Sequence, residues 1–111
     1  ALAASDFAEQ LGAPEDVINF VITGQVRSML ARAAGDLGEA ERLARSAVDH
    51  AERTDFYQHR GDARVELGRV LAAAGRREEA AAEINVGLAL YERKGDTILT
   101  SNARALLAEL S

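Results

Sequence analysis

One phrase occurs twice in this chain of 111 residues: residues 72–81 read AAAGRREEAA, and residues 32–41 read RAAGDLGEAE. In each copy a glycine follows two alanines and stands four residues ahead of a Glu-Ala pair. The two glycines, Gly35 and Gly75, are separated by 40 residues. A phrase repeated at this spacing indicates a structural unit that recurs along the chain.

The same offset continues outside the two phrases. Glu52-Arg53 is matched by Glu92-Arg93, and Ala63-Arg64 is matched by Ala103-Arg104. Each unit reads as a helix, a tight turn at glycine, a second helix and a short loop. A period in this range is typical of stacked helix pairs, because one pair cannot bury its apolar face without neighbours.

Composition places the chain in the all-α class. Alanine, leucine, glutamate and arginine dominate, and these residues are strong helix formers. The single proline is Pro14, and the β-branched residues are too scattered to form strands. The sequence therefore predicts helices throughout.

Start and stop residues predict six helices joined by short turns. Proline is favoured at the first position of a helix, aspartate and threonine at its N-cap, and glycine just past its end. The predicted helices cover residues 2–11, 14 to about 34, 36 to about 53, about 56–74, about 76–94 and 96–111. The residues that set these limits are Gly12, Pro14, Gly35, Asp36, Thr54-Asp55, Gly75, Gly95 and Asp96 or Thr97. Because the connections are short, neighbouring helices are expected to lie antiparallel.

The small residues at repeated positions have physical roles in this interpretation. Gly35 and Gly75 allow the left-handed backbone that turns one helix sharply into the next. Ala40 and Ala80 are expected where paired helices approach most closely, since a longer side chain would push the helices apart. Gly68 is expected to play the same part at a neighbouring helix crossing.

Residues 67–80, LGRVLAAAGRREEA, resemble the tetratricopeptide repeat. Leu67-Gly68, Leu71, Gly75 and Glu79-Ala80 fall on the family's positions. The earlier unit fits at Gly35, Glu39 and Ala40, but Ser28 stands in place of the small glycine and Ala31 in place of the bulky residue. The usual terminal proline is absent from both units, and the period of 40 exceeds the common value of about 34, so longer helices are expected.

The resemblance implies a helix-turn-helix solenoid within one domain, residues 1–111. Residues 1–12 would end a preceding repeat, residues 14–54 and 56–94 would form two repeats, and residues 96–111 would form a terminal helix. Longer stretches, such as SAVDHAERTDF and LYERKGD, are similar to the C-terminal repeats of large bacterial regulators. In those regulators an adenylate/guanylate cyclase-like or other nucleotide-binding domain precedes the repeats.

The same resemblance implies a binding groove lined by the first helix of each pair. The main residues of its expected lining are Gln25, Met29, Arg32, Asp62, Glu66, Arg69, Asn102 and Glu109. Five apolar residues are expected beside them: Ile22, Val26, Val65, Ala73 and Leu106. The implied function is a non-catalytic interaction module of a bacterial cytoplasmic signalling protein, which binds a peptide, a protein or its own upstream domain. Two alternatives remain open: the polar residues form ordinary solvated helix faces, or the chain is a stand-alone domain for self-assembly or small-molecule binding.

Charge and composition argue against several other classes of function. The chain has 13 basic and 18 acidic residues, a net charge of −5, and no cluster of basic residues, which disfavours nucleic-acid binding. It contains no cysteine and no apolar run long enough for a membrane span. No nucleophile motif, phosphate-binding loop or cofactor motif is recognisable, so neither catalysis nor a cofactor is expected.

One polar segment brings two histidines close to carboxylates in the sequence. His50 and His59 lie near Asp49, Asp55 and Asp62. Such side chains suit zinc, but no histidine pair has the spacing of a helical metal motif, so no metal site is predicted. An enzyme would be reconsidered only if a pocket gathered His50, His59 and Asp62.

The predicted terminal helices carry a surplus of apolar residues. The last helix has Ile98, Leu99, Leu106, Leu107 and Leu110, and the first has Leu2, Phe7 and Leu11. A solenoid normally ends in a polar-faced cap, and an uncovered apolar stripe promotes aggregation. This pattern predicts either a homodimer through the terminal helices or a missing neighbouring domain. The absence of an initiator methionine also favours a piece of a longer protein.

Overall fold

The computed structural model describes residues 14–110. Over this range the chain forms five α-helices and no strand, which confirms the all-α prediction. The helices are α1 (Pro14–Ala33), α2 (Leu37–Ala51), α3 (Tyr57–Ala73), α4 (Arg77–Lys94) and α5 (Thr97–Leu110). The helix predicted for residues 2–11 lies outside the described residues.

Glycines form the tight turns that end three of the helices. Gly35, Gly75 and Gly95 have φ angles of 83°, 80° and 81°, the left-handed region that glycine adopts without steric cost. After α1, the Asp36 amide donates to the Ala31 carbonyl at 2.9 Å, and after α3 the Arg76 amide donates to the Leu71 carbonyl at the same distance. These bonds satisfy carbonyls that the helix leaves without a partner. The left-handed turns predicted at residues 35 and 75 are confirmed.

Two aspartates cap helices as predicted. Asp36 Oδ1 accepts the Glu39 amide at 3.2 Å at the start of α2, and Asp96 Oδ1 accepts the Leu99 amide at 2.9 Å at the start of α5. These bonds satisfy amides that have no partner within the first turn of a helix.

The cap predicted at Thr54-Asp55 is wrong. The N-cap of α3 is Phe56, which makes no side-chain capping bond. The Thr54 hydroxyl instead donates to the Ala51 carbonyl at 2.8 Å, and its oxygen accepts the Phe56 amide at 3.2 Å. Thr54 therefore closes the end of α2, because its side chain reaches the last carbonyls of that helix.

Each helix packs against the next one in the chain, and α1 also contacts α3. A larger apolar core joins α1, α2 and α3 and includes Ala80 of α4. A smaller core joins α3, α4 and α5 around Val65, Ile84 and Tyr91. Five of the fully buried residues of the larger core are alanines, which allow close helix packing; they are Ala40, Ala44, Ala51, Ala63 and Ala80.

Glycine makes the α3–α4 contact especially close. A Cβ on Gly68 would collide with Ile84 Cγ1 and would lie 3.2 Å from the Ala80 carbonyl oxygen. A Cβ on Gly61 would lie 2.6 Å from the Tyr91 ring. The predicted role of Gly68 as a close-approach residue agrees with this geometry. The similar role of Gly61 was not predicted.

Ion pairs connect the helix pairs at their rims. Arg64 of α3 binds Glu52, which follows α2, at 3.1 Å and Glu83 of α4 at 2.9 Å. Arg76, in the turn before α4, binds Glu41 of α2 at 2.7 Å. These side chains are partly exposed, so each pair is expected to contribute at most about 1 kcal/mol to stability.

Candidate functional site

Two adjoining cavities lie along one side of α1, α3 and α5. The first, of about 130 Å³, is lined by Gln25, Met29, Asp62, Glu66, Arg69 and Asn102, together with Tyr91 of α4 and several apolar residues. The second, of about 260 Å³, is lined by Arg32, Arg69 and Glu109 and by apolar residues. Arg69 and Leu106 border both, and we call the two cavities together the groove.

Ten of the thirteen residues predicted to line a groove border these cavities. They come from three helices that are far apart in the sequence, and the structure brings them together. Ile22, Val26 and Ala73 border neither cavity, and Ile22 and Val26 remain 45% and 48% exposed to solvent. The arrangement is thus known, whereas the binding role of these residues stays a prediction.

Arg32 and Glu66 are bound to each other. Arg32 Nε and Nη2 donate to the two carboxylate oxygens of Glu66 at 3.3 and 3.2 Å. The Ser28 hydroxyl lies 3.1 Å from Glu66 Oε2 and 2.9 Å from the Ala40 carbonyl oxygen, so one proton serves two acceptors. Glu66 is only 2% exposed. The pair supports the wall of the groove, and neither charge is free for a ligand.

Asp62 is held by a neutral partner. The Tyr91 hydroxyl donates a hydrogen bond to Asp62 Oδ1, and the second carboxylate oxygen accepts none from the described residues. Burial raises the pKa of Asp62, an effect that the Tyr91 hydrogen bond opposes and the nearby Asp96 charge reinforces. Burial and the Asp62 contact also raise the pKa of Tyr91. No ion pair between Asp62 and an arginine or lysine occurs in residues 14–110.

The raised pKa of Asp62 predicts a pH-dependent effect of Asp62→Asn. Folded wild type holds a proton on this carboxyl in a pH range where the unfolded chain has lost it, so the contribution of Asp62 to stability falls as pH rises through that range. Asparagine does not ionise, and its carbonyl can still accept the Tyr91 hydrogen bond. We therefore expect the stability of Asp62→Asn relative to wild type to increase between about pH 3 and pH 7. Urea denaturation at both pH values measures this difference.

Tyr91→Phe provides a second test of the same prediction. It removes the hydrogen bond that opposes the effect of burial, so the Asp62 pKa should rise further and stability should fall more steeply with pH. If the free energy of unfolding of Asp62→Asn minus that of wild type stays constant or decreases as pH rises, the pKa of Asp62 is not raised by folding.

Three polar side chains that border the groove have groups without partners. Arg69 makes no hydrogen bond or ion pair with another described residue, and neither does the side-chain amide of Asn102. The Gln25 Nε2 atom is buried and has no hydrogen-bond partner. Buried polar groups are ordinarily hydrogen-bonded. Arg69 is partly exposed and Asn102 is exposed, so the first cavity presents their donors to a bound molecule.

The histidines lie in separate local contacts. His50 Nδ1 is 2.7 Å from the Ser46 carbonyl oxygen, and its ring stacks on Phe20 with centroids 5.8 Å apart. His59 meets Phe56 edge-on. Among residues 14–110, no group of three or more histidines and carboxylates could hold a metal ion. Of His50, His59 and Asp62, only Asp62 borders the groove.

Exposed apolar residues occur on α1 as well as on α5. Ile98 of α5 is 73% exposed, but Leu99, Leu106, Leu107 and Leu110 pack partly against the two cores. On α1, Ile22, Val26 and Leu30 form a stripe whose members are 45–65% exposed. Their spacing of four residues puts them on one face. The homodimer through terminal helices stays a prediction. More apolar side chains are exposed on α1 than on α5.

Tyr91 and Ser28 are the site residues that sequence reasoning missed. Sequence analysis identifies Ser28 only as a departure from the repeat pattern. The position of Ser28, where the repeat normally has glycine, was the available signal, because a small polar side chain fits between close helices and can bind a partner there.

Comparisons of the chain with protein-family models, with curated proteins and with solved structures found no match. The resemblance to the tetratricopeptide repeat therefore depends on the residues quoted above, and a function has to be argued from the groove. Within the described part of the chain, no helix is both long enough and apolar enough to cross a membrane.

Proposed function

We propose that the chain is a short stack of tetratricopeptide-like helix pairs that binds an extended peptide segment of a protein in the groove. In this proposal it is a non-catalytic interaction module of a bacterial cytoplasmic signalling protein. One observation carries the proposal: side chains chosen by repeat position from α1, α3 and α5 border two adjoining cavities, and several of their polar groups have no partner.

Equivalent contacts at the 40-residue spacing support the repeat. Gly68 approaches the Ala80 carbonyl, and the residues 40 positions earlier, Ser28 and Ala40, make the corresponding contact through a 2.9 Å hydrogen bond. Serine replaces glycine at the first contact because its hydroxyl binds the carbonyl. The same pair of positions thus meets in both units, as stacked copies of one hairpin require.

The chemistry of the groove suits an extended peptide. Its two cavities, of about 130 and 260 Å³, adjoin each other at Arg69 and Leu106. Half-exposed Met29 and partly buried Leu106 offer apolar contacts, while the unpartnered amides suit the carbonyls of a peptide backbone.

Self-assembly is a second candidate function, favoured by the α1 stripe. Ile22, Val26 and Leu30 are exposed, whereas Val70, which lies 40 residues after Leu30, is only 1% exposed and belongs to the larger core. A second copy packed on the stripe would bury it in the same way.

Peptide display tests the proposal. Ten-residue peptides selected on the wild-type chain should bind the double variant Arg69→Glu/Asn102→Ala about 10-fold to 100-fold more weakly, since hydrogen bonds to a charged group each contribute about 1.5–3 kcal/mol. Fluorescence anisotropy measures the affinity. Arg27→Glu is the matched control, because Arg27 is exposed and does not border the groove.

Equal binding to both variants would place the peptide site elsewhere. A chain that selects no peptide but forms dimers sensitive to Val26→Asp would favour self-assembly. Arg32 is unsuitable for this experiment, because its replacement also removes the partner of buried Glu66.

A further inference from the structure

We propose, on the basis of the proposed function, that the groove selects a peptide with a basic and an acidic side chain three residues apart. The basic side chain binds Asp62, and the acidic side chain binds Arg69. In this proposal the groove holds the peptide backbone in one direction, so only one order of the two charges places each side chain on its partner.

Asp62 provides the site for the basic group. Its carboxylate borders the first cavity, its only hydrogen bond among the described residues comes from Tyr91, and its second oxygen accepts none. A partly buried charge is ordinarily balanced by an opposite charge. A lysine or arginine side chain of the ligand would supply that charge and displace none of the existing contacts.

Arg69 provides the site for the acidic group. It borders both cavities and makes no hydrogen bond or ion pair with another described residue. The guanidinium has five donors in a planar arrangement that matches a carboxylate. Glu109 borders the second cavity but forms no ion pair with Arg69, so the guanidinium is available to the ligand.

The distance between the two residues sets the spacing in the ligand. Asp62 and Arg69 are seven residues apart on α3, which corresponds to about 10.5 Å along a helix axis. A peptide in the extended polyproline conformation advances about 9.3 Å in three residues and presents residues i and i+3 on the same side. Such a peptide can reach both groups at once.

Neighbouring charged residues also act on the two proposed binding sites. Asp96 adds negative charge near Asp62, while His59 and Arg69 act on it in the opposite sense. Arg32 and Glu66 neutralise each other between the two cavities.

Two peptides of identical composition test this inference. One carries Lys-Ala-Ala-Glu and the other Glu-Ala-Ala-Lys in the same leucine-containing, end-capped frame, and fluorescence anisotropy gives both affinities. We expect wild type to prefer one order by about tenfold or more, and the preference to weaken in 1 M salt. Asp62→Asn and Arg69→Gln should each reduce the preference at least severalfold, and Asp62→Lys/Arg69→Glu should reverse it.

The outcomes separate this inference from the proposed function. If both orders bind equally to wild type, or if the two single variants leave the preference unchanged, the inference is wrong while peptide binding in the groove stands. If neither peptide nor any peptide selected by display binds, the proposed function is wrong as well. The uncharged single variants Asp62→Asn and Arg69→Gln keep the test valid if the charge-swapped chain does not fold, and thermal melting checks each variant.

Discussion

Arg32→Met is expected to destabilise the protein by about 3–5 kcal/mol, because it leaves the buried Glu66 carboxylate without its charged partner. Arg32 now donates two hydrogen bonds to Glu66, at 3.2 and 3.3 Å, and Glu66 is 2% exposed. The remaining donor would be the Ser28 hydroxyl, whose single proton also serves the Ala40 carbonyl. Urea denaturation at neutral pH measures the loss, which is large against a typical total stability of about 5–15 kcal/mol.

Two further variants show whether the lost charge pair is the cause. Arg27→Met removes an exposed arginine from the same helix and should change stability by no more than about 0.5 kcal/mol. Adding Glu66→Leu to Arg32→Met should recover much of the loss, since an apolar side chain has no charge to compensate. A loss below about 1 kcal/mol in Arg32→Met would mean that the ion pair does not hold Glu66 in its buried position.

Gly68→Ala is expected to destabilise the protein by about 1–3 kcal/mol, although alanine is the better helix former by about 1 kcal/mol. The new Cβ would collide with Ile84 Cγ1 and lie 3.2 Å from the Ala80 carbonyl oxygen. Ile84 is 1% exposed and cannot turn away into solvent, and the carbonyl belongs to the backbone of α4. The helices would have to separate, which would loosen the core that joins α3, α4 and α5.

Gly38→Ala is the matched control for this prediction. Gly38 also lies in a helix, but a Cβ at this position would meet nothing within 4 Å. The change should stabilise the protein by about 0.5–1 kcal/mol through helix propensity alone. Thermal or chemical denaturation of both variants should therefore give effects of opposite sign. If both variants gain stability, α3 and α4 do not approach as closely as the structure places them.

The positions of helices and turns could be predicted because they depend on short stretches of chain. Asp36 and Asp96 bind amides three residues ahead, and Gly35 and Gly75 adopt a backbone conformation that their own lack of a side chain permits. Thr54 shows where this reasoning fails. Its hydroxyl can serve the helix behind it or the helix ahead, and the residue type does not distinguish the two.

Most residues that border the candidate groove could be predicted, but their hydrogen-bond and ion-pair partners could not. The resemblance to the tetratricopeptide repeat selects groove residues by family position, and most of these residues border the two cavities. It does not show that Arg32 is engaged with Glu66 while Arg69 is free, or that Tyr91 binds Asp62. The two residues of each pair are 34 and 29 positions apart in the sequence. They therefore meet only when the helices pack with a particular crossing angle and axial offset.

The sequence by itself determined the helical class, the limits of the five described helices within a few residues and the glycine turns. Tertiary structure alone decided which charges are neutralised, which polar atoms lack partners and which face of α1 remains exposed. The physical reason is the distance along the sequence between the groups that decide each property. Backbone conformation and capping depend on atoms a few residues away, whereas the availability of a side chain depends on which distant helix lies against it.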